Sequence, residues 1–157
     1  MDITAEIRAK LGDDWLPSIY EHKIRPLRTR SLSIDVPAKE NAATINYTLL
    51  GIELQIGRRR FACPDLATAR YMRIFARVGC SAFAAPYDIT QISALADDLE
   101  TSWQRMLLLI AASTGGKPTR SVSQTRSRII RAIRDEIERT GAGEVMPAFD
   151  RETRQRK

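Results

Sequence analysis

Histidine occurs once in this chain, at His22, and cysteine twice, at Cys63 and Cys80. So few imidazole and thiol groups leave no spacing on which a structural zinc site could rest. The segment between the two cysteines has helical periodicity over about 15 residues, which would hold its ends roughly 22 Å apart. A disulfide needs Cα atoms within about 7 Å, so the expectation is two free, structural thiols. No run of about 18 apolar residues exists, and the longest candidate, Met106 to Ala112, is too short to span a membrane. The first residues, with Asp2 and Glu6 among them, lack the basic-then-apolar order of a signal peptide. These absences predict a cytoplasmic protein with no membrane partner. Aromatic residues are scarce at 6%, and neither an aromatic-rich RNA-binding signature nor a helix-turn-helix pattern is present.

What is present is enough for one core. Of the 157 residues, 43% are hydrophobic; a chain of this size buries about 68–70% of its unfolded surface without staples. The formal net charge is +6, and 20 of the 25 basic residues are arginine. The excess is uneven. Residues 1–60 hold ten bases and eight acids, residues 61–112 four and five, and residues 113–157 eleven and six. Arginine's planar fork suits phosphate.

Apolar periodicity divides the chain into elements. Ile3, Ile7 and Leu11 recur at helical spacing, with Asp2 as the expected cap and Gly12 as the stop. A second short helix starts near Asp14, with Pro17 in its first turn, Trp15, Ile19 and Ile24 facing inward, and Pro26 ending it. The period then drops to two: Leu32, Ile34 and Val36 form one strand, and Ile45 to Ile56 a second, with a parity shift at Leu50-Gly51 that reads as a bulge. Gly57-Arg58 turns into a third strand, Arg59 to Cys63. Asp65 caps a helix running to about Gly79, its buried stripe Ala67, Tyr71, Ile74, Phe75 and Val78. Cys80 to Pro86 is a buried strand. A long helix opens at Asp88 or Thr90, with Ile92, Leu95, Leu99, Trp103, Met106, Leu107 and Ile110 on one face and Leu108 and Leu109 off it. Ser113 to Gln124 reads as a linker, and Ile129, Ile130, Ile133 and Ile137 mark a last helix over about 125–139.

The fold expected is therefore α/β (α+β): a mixed sheet of about four strands in the order ααβββαβα, with a basic C-terminal helix. Residues 1–112 form the core domain, 113–124 a flexible basic linker, and 125–157 the last helix and a polar tail. The last strand of the sheet is joined by a right-handed helical crossover.

Catalytic and cofactor motifs are missing. The helix, three strands, helix, strand order resembles the core of restriction-endonuclease-like nucleases, which need a metal-binding acid and then an acid–any–lysine triplet. Asp35 and Glu53 occupy those strands, but Gln55 stands where the lysine belongs. Solvent-facing polar residues on half-buried strands account for both acids, and a degenerate nuclease remains the lesser alternative. Thr114 to Thr119 imitates a phosphate loop, yet the motif's first glycine is missing and Pro118 follows the lysine. Asp65 and Asp88 precede helices, where capping explains them. His22 is a partly exposed helix residue with no nucleophile nearby. No enzymatic activity and no cofactor are expected.

Basic clusters carry the functional expectation. Arg58, Arg59 and Arg60 decorate a hairpin turn, and Arg70, Arg73 and Arg77 form a stripe at i, i+3, i+7. Lys117, Arg120, Arg126, Arg128, Arg131 and Arg134 follow with no acid among them, amid Ser121, Ser123, Thr125 and Ser127. Each stripe alone reads as a solvated face. Together they predict binding of DNA, RNA or another polyanion. The rival is self-association or docking of a protein partner through Leu108, Leu109 and the isoleucine stripe.

The stretches Tyr47 to Gly57 (YTLLGIELQIG), Phe61 to Tyr71 (FACPDLATARY) and Pro86 to Thr90 (PYDIT) resemble an uncharacterised family from photosynthetic bacteria. The resemblance extends through Leu109 and implies no activity.

Overall fold

Asp2 precedes α1 (Ile3–Leu11) in extended conformation without a side-chain cap, and Gly12 closes the helix. The computed structural model describes residues 2–142. A 3₁₀ turn, Gly12–Asp14, leads into α2 (Leu16–Ile19), where Pro17 sits in the first turn and gives up no hydrogen bond. A π turn, Tyr20–Ile24, completes this segment. Trp15, Ile19 and Ile24 are buried, as their spacing predicts.

Five strands follow: β1 (Thr29–Ser33), β2 (Thr44–Thr48), β3 (Gly51–Ile56), β4 (Arg59–Cys63) and β5 (Ala82–Pro86). Between β4 and β5 lies α3 (Leu66–Val78), and after β5 come α4 (Ile89–Ser113) and α5 (Thr119–Thr140). The caps anticipated at Asp65 and Asp88 are in place, whereas Asp2, also expected to cap, makes no such bond. Asp65 accepts from the Thr68 N–H at 2.7 Å and Asp88 from the Thr90 N–H at 2.9 Å. Gly79 ends α3 in the left-handed region, with the Gly79 N–H on the Ala76 carbonyl and the Cys80 N–H on the Phe75 carbonyl.

The mixed α+β class holds, but the single mixed sheet does not. Two antiparallel sheets replace it, β1–β5 and β2–β3–β4. The helical crossover into a parallel strand is therefore absent: β5 runs antiparallel to β1, with Ser31 opposite Ala84. The reason lies in residues 34–43. Ile34 and Val36 keep the buried alternation but leave the strand, and Asn41 fastens the segment to the end of α3. The Asn41 side-chain amide donates to the Ala76, Pro37 and Lys39 carbonyls, each at 3.0 Å. So anchored, the segment separates β1 from β2, and β1 finds its partner only in β5, across α3.

The parity shift at Leu50-Gly51 is a hairpin turn rather than a bulge. Thr48 pairs with Gly51, leaving Leu49 and Leu50 as the loop. Gly51 takes the positive φ of +127° that the leucines avoid. The expected linker is also shorter. It spans Thr114 to Pro118, and residues 119–124 are already helical. The polar tail expected at 151–157 lies outside the described residues.

One hydrophobic core joins all of these elements, including α5 through Ile129, Ile130, Ile133 and Ile137. At its centre Phe75 and Phe83 stack with centroids 4.2 Å apart, and Tyr71 and Tyr20 lie against Phe75 at 5.1 and 5.7 Å. The two phenols also close the outer edge of β5. The Ala84 N–H donates to the Tyr20 hydroxyl at 2.8 Å, and the Tyr71 hydroxyl donates to the Ala84 carbonyl at 2.6 Å. The N–H and carbonyl at the middle of that edge, which would otherwise be open to another strand, are thereby satisfied. The Tyr20 hydroxyl in turn donates to the Gly141 carbonyl at 2.5 Å.

Candidate functional site

The basic clusters separate once their neighbours are known. On α3 the expected stripe is an ion-pair network. Arg70 reaches Asp97 at 2.5 Å and Glu100 at 2.6 Å, and Arg73 reaches Glu100 at 3.0 Å, so both guanidinium groups are spent holding α3 to α4. Hydrogen bonds to Glu100, then to Asp97, raise the Arg70 pKa. Burial alone would raise Glu100, but the bonds from Arg70 and Arg73 prevail and hold its carboxyl below the usual value. Arg77, one turn on, is partly buried; its carbonyl accepts from the Asn41 N–H at 3.1 Å, but its guanidinium has no hydrogen-bond or ion-pair partner among the described residues. The i, i+3, i+7 spacing thus places the three residues side by side without making them one exposed surface.

At the β3–β4 turn, Arg59 is paired with the Asp35 carboxylate and Arg60 lies 3.4 Å from Glu53. Arg58 alone of this trio has no ion pair among the described residues. Asp35 lies beyond the end of β1, and Glu53 is on β3 with Asn46 and Arg60 as neighbours. The two acids thus face separate arginines. Among the described residues no group of three or more His, Cys, Asp or Glu side chains is gathered where an ion could sit. The sheet order behind the nuclease comparison is not the order observed.

On α5 the candidates divide by face. Arg126 turns toward Glu40, with Nε at 2.8 Å from one carboxylate oxygen and its terminal nitrogen on the other. Arg134 is buried and donates to the Val78 carbonyl at 2.9 Å. Both are structural. The outer face carries Arg120, Ser123, Gln124, Ser127, Arg128 and Arg131, all exposed, along a shallow depression of about 410 Å³. These positions follow i, i+3, i+4, i+7, i+8, i+11 and so share one side of the helix. Arg120 and Arg131 have no ion-pair partner among the described residues, and Arg128 approaches only Asp2, at 3.8 Å. Lys117 stands exposed in the turn just before this face. Farther along, the same side changes sign at Asp135 and Glu138.

A second surface was not legible from the strand pattern. The β2–β3 hairpin ends in Leu49 and Leu50, 106% and 101% exposed, beside Tyr47 at 72%. Leu108 on α4 is also exposed, whereas Leu109 packs partly against the core. The signal for the hairpin was the two-residue spacing between Thr48 and Gly51, which fixes a turn whose side chains point outward.

No family model matches this chain, and no curated protein or solved structure is significantly similar to it.

Proposed function

We propose that this protein binds nucleic acid or a like polyanion through the outer face of α5. The observation that supports this reading is the acid-free run of three exposed arginines interleaved with Ser123, Gln124 and Ser127. Guanidinium groups neutralise phosphates, and hydroxyls and amides add neutral hydrogen bonds to phosphate oxygens. The face begins in the first turn of the helix, where the backbone dipole also favours anions. The α3 stripe and the Arg59–Arg60 pair are left out of the interface because their charges are already answered.

The test is fluorescence anisotropy of labelled single-stranded and duplex DNA and RNA over a salt series. Three phosphate contacts on duplex DNA give a log–log slope of about −2.7. The triple change Arg120→Glu, Arg128→Glu and Arg131→Glu removes binding, while Arg59→Gln leaves it within about twofold. Affinity indifferent to salt, or unaltered by the triple change, sinks the proposal.

The exposed Leu49–Leu50 tip favours a second reading, an assembly subunit that docks through the hairpin. Sedimentation velocity over a concentration series tests self-association, with Leu49→Ser/Leu50→Ser as the control.

A further inference from the structure

Arg77 ends the α3 stripe in a cleft of about 500 Å³ between the 40–44 segment, α3, α4 and α5. That volume lies within the range of small-molecule sites, about 300–1,000 Å³. Two things about its lining are unusual. The guanidinium of Arg77 is partly buried yet has no acceptor among the described residues, although its neighbour Arg73 and the facing Arg126 each hold a carboxylate. Trp103 also lines the cleft, 3% exposed, and its indole N–H has no acceptor among the described residues. The buried polar side-chain atoms without a partner among the described residues are at Thr4, Arg30 and Arg73, so these two donors stay open to solvent and to an incoming acceptor.

The charges around the cleft sum simply. Arg126 and Glu40 cancel in a bidentate pair, and Glu100 is engaged by Arg70 and Arg73. Arg77 remains as one uncompensated positive charge. Burial, and then the nearby Arg73, lower its pKa against the weaker opposing pull of Glu100 and Glu40.

We propose that this cleft binds a small organic anion, its carboxylate or phosphate-ester head on Arg77 and its apolar body against Trp103 and Leu107. A planar head can take two parallel N–H bonds from the arginine fork. The indole N–H supplies a further donor, and Trp103 and Leu107 give the body an apolar wall. The site is separate from the α5 outer face and does not depend on the polyanion reading.

The experiment follows indole N–H resonances of ¹⁵N-labelled protein, assigned with Trp15→Phe, during titration with benzoate, phenyl phosphate and the uncharged control benzyl alcohol. Expected is a saturable shift of the Trp103 indole, at millimolar ligand or below, with at least one anion. The Trp15 indole, which donates to Glu136 and does not line the cleft, stays in place. Which anion binds more tightly identifies the head group. Arg77→Met weakens binding at least tenfold. Leu107→Trp, which fills the cleft and spares the arginine, does the same in a protein whose fold is checked by circular dichroism. The α5 triple change leaves this binding intact. No shift with either anion, equal shifts with benzyl alcohol, or undiminished binding in both Arg77→Met and Leu107→Trp overturns the proposal.

Discussion

At the scale of single residues, Gly79 and Glu100 are the positions where small changes have large consequences. A Cβ added at Gly79 would lie 2.3 Å from the Lys39 carbonyl oxygen and 2.6 Å from the Lys39 nitrogen, both backbone atoms, at a φ of +87°. Strain and overlap add, so Gly79→Ala is expected to cost about 2–4 kcal/mol. Urea unfolding would show the loss as a lower midpoint at unchanged slope. Glu100 holds two arginines, and its pKa lies below the ordinary 4.5. A carboxylate with a depressed folded-state pKa stabilises the fold above its unfolded value and loses that contribution as pH falls through the folded one. Thermal melts should therefore decline as pH drops below about 4.5 in the native protein, and this part of the decline should be missing in Glu100→Gln. That variant starts lower, by about 1–3 kcal/mol, because Arg70 and Arg73 lose their acceptor.

At the scale of elements, α5 shows how one helix divides its work. Its inner side is core: Ile133→Ala should cost about 2–5 kcal/mol, read by chemical denaturation. Its outer side is free: Arg131→Glu should stay within about 0.5 kcal/mol of the native protein in the same assay. A charge change that alters binding without altering stability separates interface from scaffold. The caps at Asp65 and Asp88, the α3 and α4 stripes and the alternation of Ile34 and Val36 were legible because each is a local pattern. The start of α5 was missed because Ser, Thr and Gly composition suggested a linker, although Val122 already stands seven residues before Ile129. Arg70 and Arg73 misled for a different reason. A sequence shows a stripe of charge on a helix but not the acids that another helix, 27 to 30 residues away, brings against it.

At the scale of the whole molecule, strand pairing was the part the sequence could not disclose. Neighbouring strands usually pair, which favoured one meander; the choice of β5 by β1 depends on Asn41 and on two phenols from distant helices. The thiols, by contrast, were predictable from spacing. Both cysteines are free and buried, and burial pushes the Cys80 thiol up to about 12. Ellman's reagent at pH 8 is expected to leave Cys80 unmodified in folded protein and to count two thiols after denaturation. The hydrogen bonds that unite the ends of the described chain carry one more consequence. Tyr20 and Gly141 are 121 residues apart, as are Trp15 and Glu136. A ribosome adds about 5–20 residues per second. The phenol that shields Ala84 therefore waits about 6–25 seconds for its last acceptor. During synthesis the β5 edge is guarded by an unfinished clasp, and the nascent chain closes upon itself only when α5 has emerged.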